Sequence, residues 1–458
     1  MNVKEAAGRA PGVADDGRAR SRTRNPEGLR LALAAMLALA LGALALAPAA
    51  GAAPQHRDGR GSGLGHWLFG HHRFHGHGGH GMPHGEGVET IATGLNQPKK
   101  LTVLPDGSLL VAESGTGAAE GTCISGEEGP ECQNSTGAIA RVTPSGGVST
   151  VLSGLASIGN GGEATGPAEA MLAYGSLHVL FQNADISPTT GETPFGPGGA
   201  YLGDLVRFPF FGSPSILARF GPFEAANNPD GGEGTGPELG LENPIDSDPY
   251  SFIPYHGGWV VADAAADDLL FVSPTGSISV LAVFPTIGET VPPGVFGPEP
   301  VPVQAQPVPT SVAVGPDGAL YVGQLGGFPF EVGKQSVFRV VPGHAPTVYA
   351  TGFTSIGDIA FDRSGRLLVL EIDQAGIDDP AAEEGLPTPG AIIGVHRNGS
   401  KQLLASAGLE FPTGMAINQW GTVYVSNFGV LSATGGPGGL SGSVARVGLP
   451  ASWTHSWW

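Results

Sequence analysis

From residue 88 to residue 450 the chain falls into short apolar runs, paired across tight polar turns that carry glycine. Four pairs align closely: KKLTVLPDGSLLVAE (Lys99 to Glu113), TSVAVGPDGALYVGQ (Thr310 to Gln324), GDIAFDRSGRLLVLE (Gly357 to Glu371) and TGMAINQWGTVYVSN (Thr413 to Asn427). Alternating runs of this length bounded by Asp-Gly or Ser-Gly predict β-hairpins, since glycine supplies the positive φ that such turns need. AEAMLAYGSLHVLFQN (Ala168 to Asn183) and YSFIPYHGGWVVAD (Tyr250 to Asp263) are weaker copies, which makes six.

A second hairpin follows each of the first five, most clearly in IARVTPSGGVSTVLSGL (Ile139 to Leu155). The sixth, SVARVGLP (Ser443 to Pro450), stops after one strand, and VETIATGL (Val88 to Leu95) resembles the strand it lacks. Each unit therefore predicts a four-stranded antiparallel sheet. One such sheet cannot bury both faces, whereas stacking in a closed ring does. The expected fold is all-β, a six-bladed β-propeller over residues 88–450 whose last blade is closed by the N-terminal strand. Ile91 and Val444 then belong to one sheet. The repeat lacks the signature dipeptide of WD40 blades.

The remaining segments differ in character. Residues 1–52 combine a basic start, the apolar run LRLALAAMLALALGALALA (Leu29 to Ala47) and the small residues Ala50-Gly51-Ala52, the pattern of a cleaved secretory signal peptide. An uncleaved membrane anchor is the alternative, because the run approaches the length of a span; with cleavage no stable membrane insertion is expected. Residues 53–87 hold a histidine- and glycine-rich tract, HWLFGHHRFHGHGGHGMPH (His66 to His84), without a periodicity that would bury a face. It reads as a flexible linker. Residues 451–458 read as a tail.

Composition agrees with many hairpins: 76 glycines and 40 prolines accompany only 14% charged residues. The formal charge is −19, and residues 1–52 hold seven bases and four acids, so their removal takes it to −22. Such a surface repels nucleic acid and anionic lipid and favours cations or basic partners. Cys123 and Cys132, close together in a chain expected outside the cytoplasm, predict one disulfide that staples a single loop.

Candidate chemistry gathers on one rim. The loops from second to third strand are long and polar in five blades (114–138, 184–203, 325–335, 372–390 and 428–442), while blade 3 keeps only AAADD. Long insertions on one face mark a functional face. Six oxygen-bearing residues end the second strands: Glu113, Asn183, Asp263, Gln324, Glu371 and Asn427, with one residue of slip allowed in blade 2. Around a sixfold axis they are candidates for a channel-mouth ring, and Glu113, Asp263 and Glu371 are candidate ligands for a hard cation such as Ca²⁺. The plainer expectation is that they cap strand ends and bond neighbouring loops. GGEATGPAE (Gly161 to Glu169) returns as GGEGTGPEL (Gly231 to Leu239), so Glu163 and Glu233 are further mouth candidates. No phosphate loop, nucleotide fingerprint or nucleophile elbow is present, and His178, His256, His344 and His396 fall in strands or near turns.

The units built on Thr93-Gly94-Leu95, Pro98, Leu104-Pro105-Asp106-Gly107 and Val111-Ala112-Glu113 resemble NHL-type six-bladed propellers. Together with TCISGEEGPECQNSTGAIARVTPSGG and the GGEATGPAEA link, the arrangement over residues 88–450 resembles the ScyD/ScyE family of exported propellers. That resemblance implies an extracytoplasmic location and brings no catalytic residues with it. GLNQPKKLTVLPDGSLLVAE also looks like the opening of quinoprotein sugar dehydrogenases, and gluconolactonase-like propellers hold a divalent cation near the channel. Three roles follow as expectations: a secreted propeller binding a small molecule or protein through its long-loop face; a cation-dependent hydrolase or lactonase at the channel mouth, with Glu113, Asp263 and Glu371 holding the ion and a metal-bound water attacking; and a quinone-dependent sugar dehydrogenase, for which no histidine is well placed.

Overall fold

A computed structural model describes residues 87–126, 129–183, 186–232, 245–295, 297–377, 389–430 and 441–454. The expected signal sequence, nearly all of the histidine-rich tract and Glu233 lie outside the described residues.

The fold is a six-bladed β-propeller. Blade 1 is built on Pro98–Val103, Leu109–Glu113, Gly129–Val142 and Val148–Gly159. Blade 2 comprises Pro167–Ala173, Ser176–Phe181, Asp204–Pro209 and Ser215–Arg219; blade 3, Pro249–Tyr255, Gly258–Asp263, Asp268–Val272 and Ile278–Val283. Blade 4 runs over Pro309–Val314, Leu320–Gln324, Gln335–Val340 and Thr347–Phe353, and blade 5 over Ile356–Phe361, Leu367–Glu371, Ala391–Val395 and Lys401–Ala405. Blade 6 has Gly414–Ile417, Val423–Asn427 and Gly442–Gly448, and its fourth strand is Gly87–Leu95 from the other end of the chain. That strand runs antiparallel to Gly442–Gly448, with Val88 opposite Val447 and Ala92 opposite Val444. Ile91 and Val444 thus share a sheet, as expected.

Alternation puts one apolar row on each face of a blade, and every row meets its neighbour's. Six separate cores result, one per blade junction. Between blades 1 and 2 lie Leu110, Ala112 and Ile139 against Val179, Phe181 and Val206. The closing junction packs Ala92, Leu95 and Val444 of blade 6 against Leu101, Leu109 and Val111 of blade 1. Each fully buried Leu or Val stabilises by about 1.5–3 kcal/mol, so the ring is held by many equivalent junctions. Gly146 tightens the closure: its φ is +87°, and a Cβ there would stand 2.0 Å from the Ile91 carbonyl oxygen.

Three features go beyond the expected pattern. A helix, Phe220–Asn227, follows blade 2. A two-stranded hairpin, Ile287–Val291 with Val301–Ala305, precedes blade 4. The segment expected as a tail forms a helical turn, Ala451–Thr454, that buries Trp453 in the core of blades 5 and 6. There the Arg366 guanidinium lies 3.9 Å from the indole centroid. Gly394 makes room, since a Cβ would approach the ring to 2.6 Å. Among the described residues no helix is long and apolar enough to cross a membrane.

Candidate functional site

The second strands end on side chains that tie each blade to the link leading into it. Glu113 Oε2 accepts the Asn96 N–H at 2.7 Å, Glu371 Oε1 accepts that of Thr354 at 2.9 Å, and Asn427 Oδ1 that of Glu410 at 3.2 Å. Asp263 does the same in blade 3, taking the Asp248 N–H at 2.7 Å and the Ser247 hydroxyl at 2.6 Å. Burial pushes the Glu371 and Asp263 carboxyls up to about 7 and raises Glu113 as well. Gln324 is buried, with its Nε2 lacking a hydrogen-bond partner. In blade 2 the equivalent position belongs to Phe181: it faces Pro167 as Glu113 faces Pro98 and Asp263 faces Pro249. Asn183 lies two residues further on. Its N–H donates to Asp248 Oδ1 at 3.1 Å, across to the link into blade 3, while its Oδ1 is buried without a partner.

A different set of residues occupies the axis. The first strands come into register on the valines they face in the second strands. Leu101 faces Val111, Ala170 faces Val179, Phe252 faces Val261, Val312 faces Val322, Ile359 faces Val369 and Met415 faces Val425. One residue before each lie Lys100, Glu169, Ser251, Ser311, Asp358 and Gly414. In blades 1 to 5 the pairing slips just before or at this position, a β-bulge at the start of each first strand. Bulges re-aim side chains, here around the channel.

Lys100 carries the axial set. Its Nζ lies 3.2 Å from Asp358 Oδ1 in blade 5 and donates to the Gly357 carbonyl at 2.5 Å, while Tyr250 of blade 3 presents its ring 5.2 Å away. Asp358 also accepts the N–H groups of Ile359 and Met415, both at 2.8 Å. Glu169 of blade 2 accepts the Phe252 N–H at 2.8 Å and the Ser251 hydroxyl at 3.1 Å. Burial pushes the Glu169 carboxyl up to about 8 against the opposing pull of Lys100. Thr310 donates to the Ile356 carbonyl at 2.6 Å and Thr413 to that of Pro98 at 3.0 Å, so polar bonds link inner strands around the ring.

Closer to the long-loop face, Lys99, Glu163, Asp248 and Tyr250 converge. Lys99 is buried, 5% exposed, and its ammonium has neither a hydrogen bond nor an ion pair among the described residues. Burial holds it below the usual lysine range, while the charges of Glu163 and Asp248 act in the other direction. Asp248 is held by Gln182 Nε2 at 3.2 Å. Gln97 pins the GGEATG link in place, donating to the Gly162 carbonyl at 2.9 Å and accepting the Ala164 N–H at 2.8 Å. The mouth therefore brings an amine and two carboxylates together beside a phenol.

Ordered loops surround it. In blade 1, Thr122–Gly126 pairs with Gly129–Val142, with the expected disulfide between the facing residues Cys123 and Cys132. Ala156 and Ile158 of this blade pack against Phe195 and Leu202 in the loop of blade 2. The hairpin before blade 4 is fastened through Glu289, which accepts the Glu331 N–H at 2.9 Å and Gln335 Nε2 at 3.2 Å. Ile372, Phe411 and Phe428 join the rims of blades 5 and 6. Among the described residues no group of three or more His, Cys, Asp or Glu side chains is already arranged to hold a metal ion.

No protein-family model and no curated protein matches the chain. Solved structures do. Virginiamycin B lyase from Staphylococcus aureus is 12% identical over 74% of this chain and 80% of its own, with a TM-score of 0.39. A gluconolactonase from Xanthomonas campestris is 11% identical over 79% and 89%, with a TM-score of 0.41. The quinone-bound aldose sugar dehydrogenase of Streptomyces coelicolor is 13% identical over 79% and 98%, with a TM-score of 0.40. At these values no functional residue passes from them to this chain.

Proposed function

We propose that this protein is an exported binding propeller of the ScyD/ScyE type, which receives a small polar molecule at the mouth on its long-loop face. The observation that carries the reading is Lys99, a buried ammonium without a direct partner, set beside Glu163, Asp248 and Tyr250. An ammonium so placed is costly unless something completes its hydrogen bonding, and a ligand carboxylate or carbonyl oxygen does so. Glu163 and Asp248 then take the ligand's hydroxyls or amine. The stitched rim supports the reading, because ordered loops reduce the entropy lost when a ligand binds.

The hydrolytic alternative needs Glu113, Asp263 and Glu371 to share one ion, whereas each is bonded to the link of its own blade. One experiment addresses both roles. The full chain is mixed with a defined panel of aldonic acids, sugar lactones and aromatic carboxylates, with binding followed by native mass spectrometry and lactone turnover by acid release. The binding role expects retention of a carboxylate or carbonyl compound, lost in Lys99→Met and kept in Lys334→Met. Turnover that requires Glu113 and Asp263 would favour the hydrolase, and retention unchanged in Lys99→Met would remove the mouth from consideration.

A further inference from the structure

Blade 3 sets two carboxylates face to face where its counterparts do not. Asp263 lies directly opposite Asp268 across the second and third strands. At the same place Glu113 faces Ala138, Glu371 faces Ala391 and Asn427 faces Ser443. Like charges directly opposite on neighbouring strands destabilise a sheet. Asp267, beside them, takes the left-handed conformation with φ 54°. The helix Phe220–Asn227 adds Glu224 near its C-terminal end and finishes at Asn228 with φ 40°. That end of a helix carries partial negative charge, so it adds to the repulsion.

Asp263 is satisfied by Ser247, Asp248 and Ala266. Its neighbours are not. Both carboxylate oxygens of Asp268, Oδ2 of Asp267, Oε2 of Glu224 and the amide oxygen of Asn228 are buried without a hydrogen-bond partner. Asp268 is 0% exposed, Asp267 1% and Glu224 2%. The charges acting on these three come from other carboxylates, Asp230 and Asp263 foremost, and they reinforce burial in disfavouring ionisation. Orphaned buried acceptors cost about 1–3 kcal/mol each, more when charged. Five oxygens with no donor between them lack one complement, a cation.

We propose that this corner of blade 3 binds calcium, with Glu224, Asp267 and Asp268 supplying carboxylate oxygens and Asn228 its amide oxygen. An all-oxygen set of this size suits the six to eight ligands and tolerant geometry of Ca²⁺ better than the strict octahedron of Mg²⁺. Without the ion, repulsion opposes a closed ligand shell, and the ion supplies the attraction that draws the oxygens in. Asp267 Oδ1 already accepts the Val308 N–H at 3.0 Å. The ion therefore braces the helix after blade 2, the rim of blade 3 and the link into blade 4. The site stands apart from the role proposed for Lys99 and does not depend on it.

The test uses the full chain, stripped with a chelator and titrated with Ca²⁺ alone. Imidazoles favour softer metals, so the histidine tract does not account for a Ca²⁺ response. The expected result is one tightly held Ca²⁺ per chain by calorimetry, with Tm rising by about 5 °C at roughly a hundred times Kd and a much smaller rise with Mg²⁺. The double variant Glu224→Gln, Asp268→Asn is expected to bind at least tenfold more weakly. Its calcium-free Tm should equal or exceed that of the parent, because the repulsion is relieved, so the lost response is not misfolding. The parent titration decides first: absence of uptake overturns the site, as does a response left unchanged in the double variant. A Tm that rises on acidification and ignores Ca²⁺ would show that protons neutralise the corner instead.

Discussion

Lys100 and Asp358 meet across the axis, 3.2 Å from Nζ to Oδ1, although they belong to blades 1 and 5 and blade 6 lies between them. The pair is almost fully enclosed, with side chains 1% and 11% exposed. Asp358 keeps two backbone N–H bonds, and the nearby Glu169 carboxyl is held largely protonated by burial. One buried lysine thus faces one firmly bonded carboxylate, which makes the axis close to neutral.

Removing one partner of a buried pair strands the other charge, at a cost of about 3–5 kcal/mol. Lys100→Met is expected to lower the urea midpoint by an amount in that range, and Asp358→Leu to do likewise. The double variant should recover a large part of the loss. Strictly additive losses in the double-variant cycle would show that the two groups are not coupled.

The hairpins and their closure were legible because alternation and turn glycines mark strands locally, and VETIATGL repeats the pattern of complete blades. The axial set was not. Lys100, Glu169, Ser251, Ser311, Asp358 and Gly414 share a position but no chemistry, so the repeat hides them until the first strands are aligned on the valines opposite. Polar strand ends were easier to see, and they proved to be occupied by bonds to their own links in blades 1, 3, 5 and 6. In blade 2 the apolar run Val179 to Phe181 carries the strand to a phenylalanine, which displaced Asn183 from the register. The blade 3 corner joins residues from a helix and a four-residue loop, and neither shares a period with the other.

Stability should fall as pH rises through neutrality. Glu169 and Glu224 are pushed up to about 8, and Asp204, Asp263 and Glu371 to about 7, all mainly by burial. A carboxyl with a raised folded pKa binds more protons folded than unfolded. Its contribution is therefore full below the ordinary carboxylate pKa and is lost as pH climbs through the raised value. His178, lowered to about 4 by burial, acts oppositely, but only below about 6.5. Scanning calorimetry in chelator should thus show Tm declining from about pH 6.5 to about pH 8.5. A flat or rising Tm would contradict the assignment.

The closing strand should be separable. A chain beginning at Asn96 leaves Gly442–Gly448 as an open edge and uncovers Tyr424 and Val444, an aggregation hazard. It is expected to bind a hydrophobic dye and elute as oligomers, and a synthetic peptide spanning residues 87–95 should restore the monomer. A monomeric truncated chain of unchanged Tm would mean that the ring does not need this strand.

The strand-end bonds offer the sharpest separation of geometry from charge. Glu371 accepts the Thr354 N–H at 2.9 Å, and the side-chain amide of Gln keeps an oxygen at that point. Glu371→Gln should therefore retain the tie between blade 5 and its link and lose the ionisation. At pH 6 its Tm should match the parent. At pH 8, where the parent pays for a buried carboxylate, the variant should be the more stable. Glu371→Leu removes the acceptor and leaves the Thr354 N–H unsatisfied, at a cost of about 1–3 kcal/mol at both pH values. Hydrogen exchange of the Thr354 amide distinguishes the two, remaining slow in the Gln variant and accelerating in the Leu variant. Fast exchange in both would show that the carboxylate charge, rather than the shape of the acceptor, holds the link.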